Sequence, residues 1–273
     1  QTMTATGVSF PQVSLMVKEQ MKKGAIMFNY SGHGSPDQIS HSKILFTDDF
    51  REPSVGLPIW VFASCEITPY DTQTDNIGRA AMLNKNGGAI ALMCAARAVY
   101  ADQNNQLNMA FSKYILGNDN TGKRYTFGDA MRMAKVSMLT MGADRTMNKL
   151  KYLLIGDPAL TLSIPTYKVV LDSINGELLT ADSYKKLQAG QLVRFSGHIS
   201  KIDGTCNEEF SGILNAKITD KEETIVCKKN DSTTDKPMEY KDRPKVIYEG
   251  ADSVRNGKFV LNVLIPRDIA YSN

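Results

Sequence analysis

In a chain of 273 residues, no apolar run approaches the roughly 20 residues that a membrane-spanning helix requires. The chain starts at Gln1 without a signal-peptide pattern, so the expectation is a soluble segment cut from a longer protein. Cysteine is scarce: four residues, at positions 65, 94, 206 and 227, are too few for a disulfide scaffold and lack the C-x-x-C spacing of a structural zinc site. Excess charge is also lacking. The 32 Lys and Arg against 29 Asp and Glu leave a formal charge of +3. The basic residues are dispersed and form no stripe interleaved with aromatics, which sets nucleic-acid binding aside. No D-x-D-x-D-G loop of oxygen ligands and no internal repeat occurs, so neither a specific metal site nor a cofactor is expected.

What is present reads as two domains, residues 1 to 164 and 165 to 273, since 42% hydrophobic content can fill two cores. Val13, Met16, Val17 and Met21 recur at helical spacing over residues 10 to 23, with Ser9 and Gln12 as a capping box and Gly24 as the stop. Apolar runs at Ala25 to Phe28, Leu57 to Ala63, Ala89 to Cys94 and Tyr152 to Ile155 read as buried strands. Helices are expected over Asn76 to Asn84, capped by Asp75, over Asn104 to Leu116, and over Phe127 to Met141, capped by Thr126. Strands apolar throughout, alternating with helices, predict a parallel sheet covered on both faces.

After Pro165 the texture changes to short alternating runs, Leu192 to Phe195, Ile213 to Ile218 and Lys258 to Leu264, separated by Gly, Asn, Asp and Ser. That pattern predicts an all-β sandwich of immunoglobulin-like type, and the chain's end at Asn273 suggests that it is incomplete. Lys228 to Arg243, rich in Lys, Asp, Thr and Pro, reads as a mobile loop. Cys206 and Cys227 both fall in this domain, as a bridge or as two free thiols.

Parallel sheets do chemistry at the carboxyl ends of their strands. Two residues with chemical capacity fall there: His33, in the loop Asn29-Tyr30-Ser31-Gly32-His33-Gly34, and Cys65, just past Phe62-Ala63-Ser64. A cysteine nucleophile needs a thiolate, an imidazole to stabilise it and protonate the leaving amine, and donors for the developing oxyanion. The backbone N–H groups of Cys65 and Gly34 could be those donors. The alternative is plain: a buried Cys at a strand end is usually a small hydrophobe, and a His in a Gly-rich loop a turn residue.

The runs Asn29-Tyr30-Ser31-Gly32-His33-Gly34, Phe62-Ala63-Ser64-Cys65, Gly87-Gly88-Ala89-Ile90-Ala91 and Gly156-Asp157-Pro158-Ala159-Leu160, in that order over residues 25 to 162, resemble the gingipain family of cysteine peptidases. The resemblance implies a caspase-like α/β fold with His33 and Cys65 as catalytic dyad and the N–H groups of Gly34 and Cys65 as oxyanion donors. Within the family, Ser253 to Phe259 and Val263 to Tyr271 resemble the β-domain that follows the peptidase core in the sortases of the type IX secretion system. That likeness implies polypeptide substrates at the outer-membrane surface, namely exported proteins with a C-terminal signal domain. It also implies an anionic lipopolysaccharide as acyl acceptor, and secretion-system outer-membrane proteins as partners. One departure stands out. The family's acidic residue that orients the histidine has no match in residues 1 to 24 except Glu19, so that acid is expected upstream of Gln1.

Other residues have weaker readings. His41 lies in a polar loop as the competitor for His33, and His198 reads as structural. Cys94 reads as a core thiol, with a bridge to Cys65 as the alternative. Glu66, Asp71, Asp75 and Arg97 follow strands and are candidate substrate contacts; Arg97 could meet a substrate carboxylate or carbonyl in planar geometry. Gly156 to Pro158 reads as a tight turn.

Overall fold

The computed structural model describes residues 2–4, 7–142, 146–180, 186–228 and 236–269, and the chain divides into two compact units, Gln1–Ile164 and Pro165–Asn273. The first unit opens with an antiparallel ribbon of β1 (Thr2–Thr4) and β2 (Gly7–Ser9) and continues into α1 (Pro11–Lys23). Phe10, not Ser9, takes the cap position of α1, and Pro11 begins the helix where a missing N–H costs nothing. The helix stops at Gly24, whose φ of 87° and close approach to the Val55 carbonyl leave no room for a Cβ.

Four strands make the central sheet in the order β3 (Met27–Ser31), β6 (Ile59–Ala63), β7 (Ala91–Ala95) and β8 (Tyr152–Gly156). Between β3 and β6 the chain forms a small hairpin of β4 (Gln38–Ile39) and β5 (Leu45–Phe46). α2 (Ile77–Met82) connects β6 to β7, and α3 (Ala101–Ile115) and α4 (Phe127–Thr140) connect β7 to β8. β3, β6 and β7 are parallel, but β8 is antiparallel to β7, which corrects the expectation of an all-parallel sheet. A single helix returns the chain to the starting end of the sheet; α3 and α4 together bring it back to the carboxyl end, so β8 must run the other way. Asn76 rather than Asp75 caps α2, its side-chain oxygen accepting from the Arg79 N–H at 2.9 Å. Thr126 caps α4 as expected, accepting from the Asp129 N–H at 3.1 Å.

Both faces of this sheet are consumed by packing. Ile59, Val61, Ala91, Met93 and Ala95 face Leu107 and Phe111 of α3 and Ala130, Ala134 and Met138 of α4. The alternate residues Trp60, Phe62, Leu92 and Cys94 pack with Phe50 and with Ile77, Ala80 and Ala81 of α2. Trp60 is the centre of that second layer, stacked on Phe28 at 4.4 Å and Phe62 at 5.2 Å and meeting Phe50 edge-on. The side-chain period of 2 divides each strand between the two layers, which is why the sequence runs are apolar throughout.

Among the described residues every strand pairing of the second unit is antiparallel. β10 (Glu177–Leu178), β9 (Lys168–Ile174), β11 (Leu192–Ser200) and β16 (Lys258–Leu264) form one sheet in that order. β12 (Gly212–Thr219) pairs with β15 (Val246–Val254), and Ala216, Ile218, Ile247 and Tyr248 from this pair pack against Val193, Phe195, Leu261 and Val263 of the sheet. Residues 239 to 242, expected in a mobile loop, are a strand: β14 (Glu239–Asp242) pairs with β13 (Glu223–Val226), while 229–235 lie outside the described residues. The run Ser253 to Phe259 leads from the end of β15 into β16 through a turn. Asn256 and Gly257, at φ 48° and 72°, make a two-residue turn closed by paired bonds between Arg255 and Lys258. Residues 270 and 271, the end of the run Val263 to Tyr271, also lie outside the described residues.

Cys206 and Cys227 are free thiols, so no bridge joins them. Cys206 lies against Gly257, its Sγ 3.9 Å from that carbonyl, whereas Cys227 is tied to the β13–β14 ribbon by its N–H to Met238. His198 is structural: its Nδ1 meets the Asp172 carboxylate at 2.8 and 2.9 Å across β9 and β11.

Trp60→Ala should lower the unfolding free energy of the first unit by about 3–5 kcal/mol, since it empties the centre of one layer; urea denaturation followed by circular dichroism measures this.

Candidate active site

The in-register pairing of β3 with β6 matches Ser31 to Ala63, and the Gly32 N–H continues the ladder to the Ala63 carbonyl at 3.3 Å. His33 and Cys65 each lie two residues beyond that matched pair. Adjacent strands are about 4.8 Å apart, so the two side chains leave neighbouring strand ends on the same edge of the sheet. Gly34 closes the gap. A Cβ there would lie 2.3 Å from the Ser64 hydroxyl oxygen and 2.7 Å from Ile67, so any larger residue would have to displace those side chains from between the histidine loop and the cysteine turn.

The histidine loop is pinned by its own backbone. The His33 carbonyl accepts from the Tyr30 hydroxyl at 2.7 Å and from the Ser40 N–H at 2.8 Å, and Ser35 N–H donates to Gln38. The cysteine turn is strained at Glu66, whose φ of 47° is unusual for a residue with a Cβ. Glu66 is tied by its N–H to the Arg97 carbonyl at 3.3 Å. Cys65 is half-buried, with the Val99 N–H and Val99 carbonyl each 3.5 Å from its Sγ. The Val99 amide is a donor to sulfur that the sequence did not disclose, because it depends on how the segment after β7 folds over β6.

Below this edge the groups are buried. Ser64 is buried, and its hydroxyl finds no partner among the described residues. Burial raises the Tyr152 hydroxyl far above the usual phenol range; the neighbouring thiols of Cys65 and Cys94 add to the rise, and the Ser64 backbone offsets part of it. Tyr152 opens β8 opposite Ala95, so the antiparallel course of β8 is what brings it under the cysteine. Cys94 is fully buried, and burial pushes its thiol up to about 12, with the Thr68 hydroxyl pulling slightly the other way. Cys94 and Cys65 are both free, so no bridge joins them.

The remaining candidates are distributed unevenly. Arg97 is exposed but engaged, forming an ion pair with Asp71 and donating to the Ala96 carbonyl at 2.7 Å. The guanidinium hydrogen bond holds the Asp71 carboxyl below its usual range. Asp75 pairs with Arg51. Glu19 is exposed on α1, and among the described residues no carboxylate hydrogen-bonds the His33 ring. His41, weighed above as a rival, lies face to face with His33, ring centroids 4.2 Å apart and planes within 9°. The turn after β8 is tight as read, Asp157 accepting from the Ala159 N–H at 2.9 Å. Among the described residues no group of three or more His, Cys, Asp or Glu could hold a metal ion.

A thiol and an imidazole on adjoining strand ends, with main-chain N–H groups beside them, can form a thiolate–imidazolium pair, attack a carbonyl and return a proton to a leaving group. Such a pair is the equipment of a cysteine peptidase, and the family comparison puts the chain in that class. More particularly, it belongs to peptidase family C25, whose family model matches residues 1–163. Among solved structures it is similar to the Arg-specific cysteine proteinase gingipain R, at TM-score 0.50 and 16% identity over 96% of this chain and 51% of that one. It is also similar to dimeric latent PorU from Porphyromonas gingivalis, at TM-score 0.38 and 26% identity over 69% of this chain and 17% of that one. A complex of Porphyromonas gingivalis RgpB pro- and mature domains matches at TM-score 0.44 and 15% identity over 96% and 52%. The chain therefore spans about half the length of the gingipain chains and a smaller share of PorU. No curated protein sequence matches it.

Cys94 should resist alkylation in the native protein at pH 8 and react only on unfolding, whereas Cys65 should be modified; peptide mapping after iodoacetamide treatment reads both. The raised Cys94 value stabilises the fold fully below the ordinary thiol value of 9.0, and that contribution is lost as pH rises toward about 12. A Cys94→Ala variant should accordingly show a shallower alkaline loss of stability in urea titrations between those limits.

Proposed function

We propose that the first unit is the catalytic core of a cell-surface cysteine peptidase in which Cys65 is the nucleophile and His33 its acid and base. The observation that carries this reading is the pairing of Ser31 with Ala63, which places the two residues on one edge of a sheet whose faces are both covered. Cys65 attacks a peptide carbonyl, and the N–H groups of Gly34 and Cys65, which donate to no protein acceptor among the described residues, receive the oxyanion. His33 then protonates the leaving amine, and an acyl-enzyme remains for water or an amine to resolve.

The substrates in this reading are exported polypeptides carrying a C-terminal signal domain, and the acyl group passes to an anionic lipopolysaccharide at the outer membrane, in the company of other secretion-system proteins. Support comes from the likeness of the terminal β-segments to type IX sortases. The β-unit, with a four-stranded sheet packed on a separate pair, serves as an immunoglobulin-like sandwich. Glu66 and Arg97 border the substrate-binding edge; Arg97 reaches a substrate carboxylate or carbonyl only by leaving Asp71.

A secreted endopeptidase that only hydrolyses is the second reading, favoured by the likeness of the fold to gingipain R. A binding or scaffold module that retains the core for docking is the third.

Mass spectrometry of the full-length protein and its Cys65→Ala and His33→Ala variants, each mixed with a substrate carrying a C-terminal signal domain, separates them. The unmodified protein should shorten the substrate, and each variant should lose at least about a thousandfold in rate. A product heavier than hydrolysis allows identifies transfer. A product of hydrolytic mass alone supports the second reading, and equal behaviour of all three proteins supports the scaffold.

A further inference from the structure

The His33 imidazole is exposed, and among the described residues no carboxylate hydrogen-bonds it. An exposed ring free to rotate about two torsions spends little time in any one orientation, and proton transfer to a thiol or an amine depends on that orientation. Among the described residues one ring contact restrains it. The His41 ring lies parallel to it at 4.2 Å with an interplanar angle of 9°.

We infer that His41 is a positioning residue for His33, holding the imidazole by its face and leaving the nitrogens at its edge to the reaction and to an orienting acid. The inference rests on the reading of His33 and Cys65 as a dyad. Hydrogen bonding by a carboxylate would occupy one nitrogen; stacking occupies neither, because the contact uses the π-surface while donors and acceptors lie in the ring plane.

The loop is built to hold the two rings in place. His33 and His41 lie on the two arms of a short turn closed by the Ser40 N–H bond to the His33 carbonyl at 2.8 Å, the Gly34–Ile39 antiparallel bridge and the Ser35 N–H bond to Gln38 at 2.9 Å. The Tyr30 hydroxyl fixes the same His33 carbonyl from the β3 side at 2.7 Å. Ser40 at φ 68° and Lys43 at φ 55° take left-handed conformations on either side of His41, and the Ser40 side chain accepts from the Ser42 N–H. Two strained residues around one exposed histidine are unexpected in a loop that merely connects strands.

The test measures the rate of Cys65 alkylation by iodoacetamide against pH, by peptide mapping of the full chain, in the unmodified protein and in His41→Ala, His41→Phe and His33→Gln variants. Removing the stacked ring in His41→Ala should slow Cys65 modification about threefold to tenfold at the pH of greatest difference. His41→Phe keeps a flat ring without titratable nitrogen and should restore most of the rate. Equal melting temperatures for the two His41 variants show that the comparison is between folded proteins. If His33→Gln alters the profile but His41→Ala leaves it unchanged or speeds it, the positioning role is overturned and the dyad stands. If His41→Phe behaves like His41→Ala, stacking is not the agent and the inference is likewise overturned. If His33→Gln itself leaves the Cys65 profile unchanged, the dyad reading fails, and the positioning role falls with it.

Discussion

The pairing of β3, β6 and β7 in parallel register inside two apolar layers is the constraint on which the site depends. Every side chain of β6 from Ile59 to Ala63 is buried, and the same holds for Ala91 to Ala95 of β7. With one layer filled by α3 and α4 and the other by α2 and the segment around Phe50, neither face of the sheet can receive a ligand. Strand ends are what remains, and the residues that follow β3 and β6 inherit positions set by the ladder behind them.

The site is correspondingly a backbone construction. At Gly34 the Ser64 hydroxyl fills the space a Cβ would take, and the Cys65 sulfur meets both the N–H and the carbonyl of Val99. Buried hydroxyls and a buried thiol lie beneath, and burial drives Tyr152 and Cys94 toward their neutral forms. A buried floor strengthens any charge interaction made above it, since the effective dielectric falls away from solvent. Arg97 and Asp71 show the opposite regime: both are exposed, and their pairing is screened by solvent.

Much of the first unit was legible because its signals are local. The apolar runs Leu57 to Ala63 and Ala89 to Cys94, each preceded by glycine, identify β6 and β7 to within about two residues, and Thr126 with Asp129 marks the start of α4. Cap positions shifted by one residue for α1 and α2, because Ser9, Phe10, Asp75 and Asn76 compete for one place and the winner depends on where the preceding chain enters. The direction of β8 was missed since a strand's apolar pattern is identical read either way. In the second unit the β14 strand was hidden by polar composition: Glu239–Asp242 is exposed at every position and is recruited by pairing with β13, a non-local bond.

The sequence by itself determined which residues could do chemistry and that they follow strands, because residue type and hydrophobic period are local properties. It also carried the family resemblance, which the match over residues 1–163 bears out. Tertiary structure alone decided the neighbourhood: the stack of His41 on His33, the Val99 peptide at the Cys65 sulfur, Tyr152 under the sheet edge, and the separation of Cys206 from Cys227. Those relations join segments 8 to about 87 residues apart in the chain, and distances of that kind are set by register and strand direction, which no local pattern encodes.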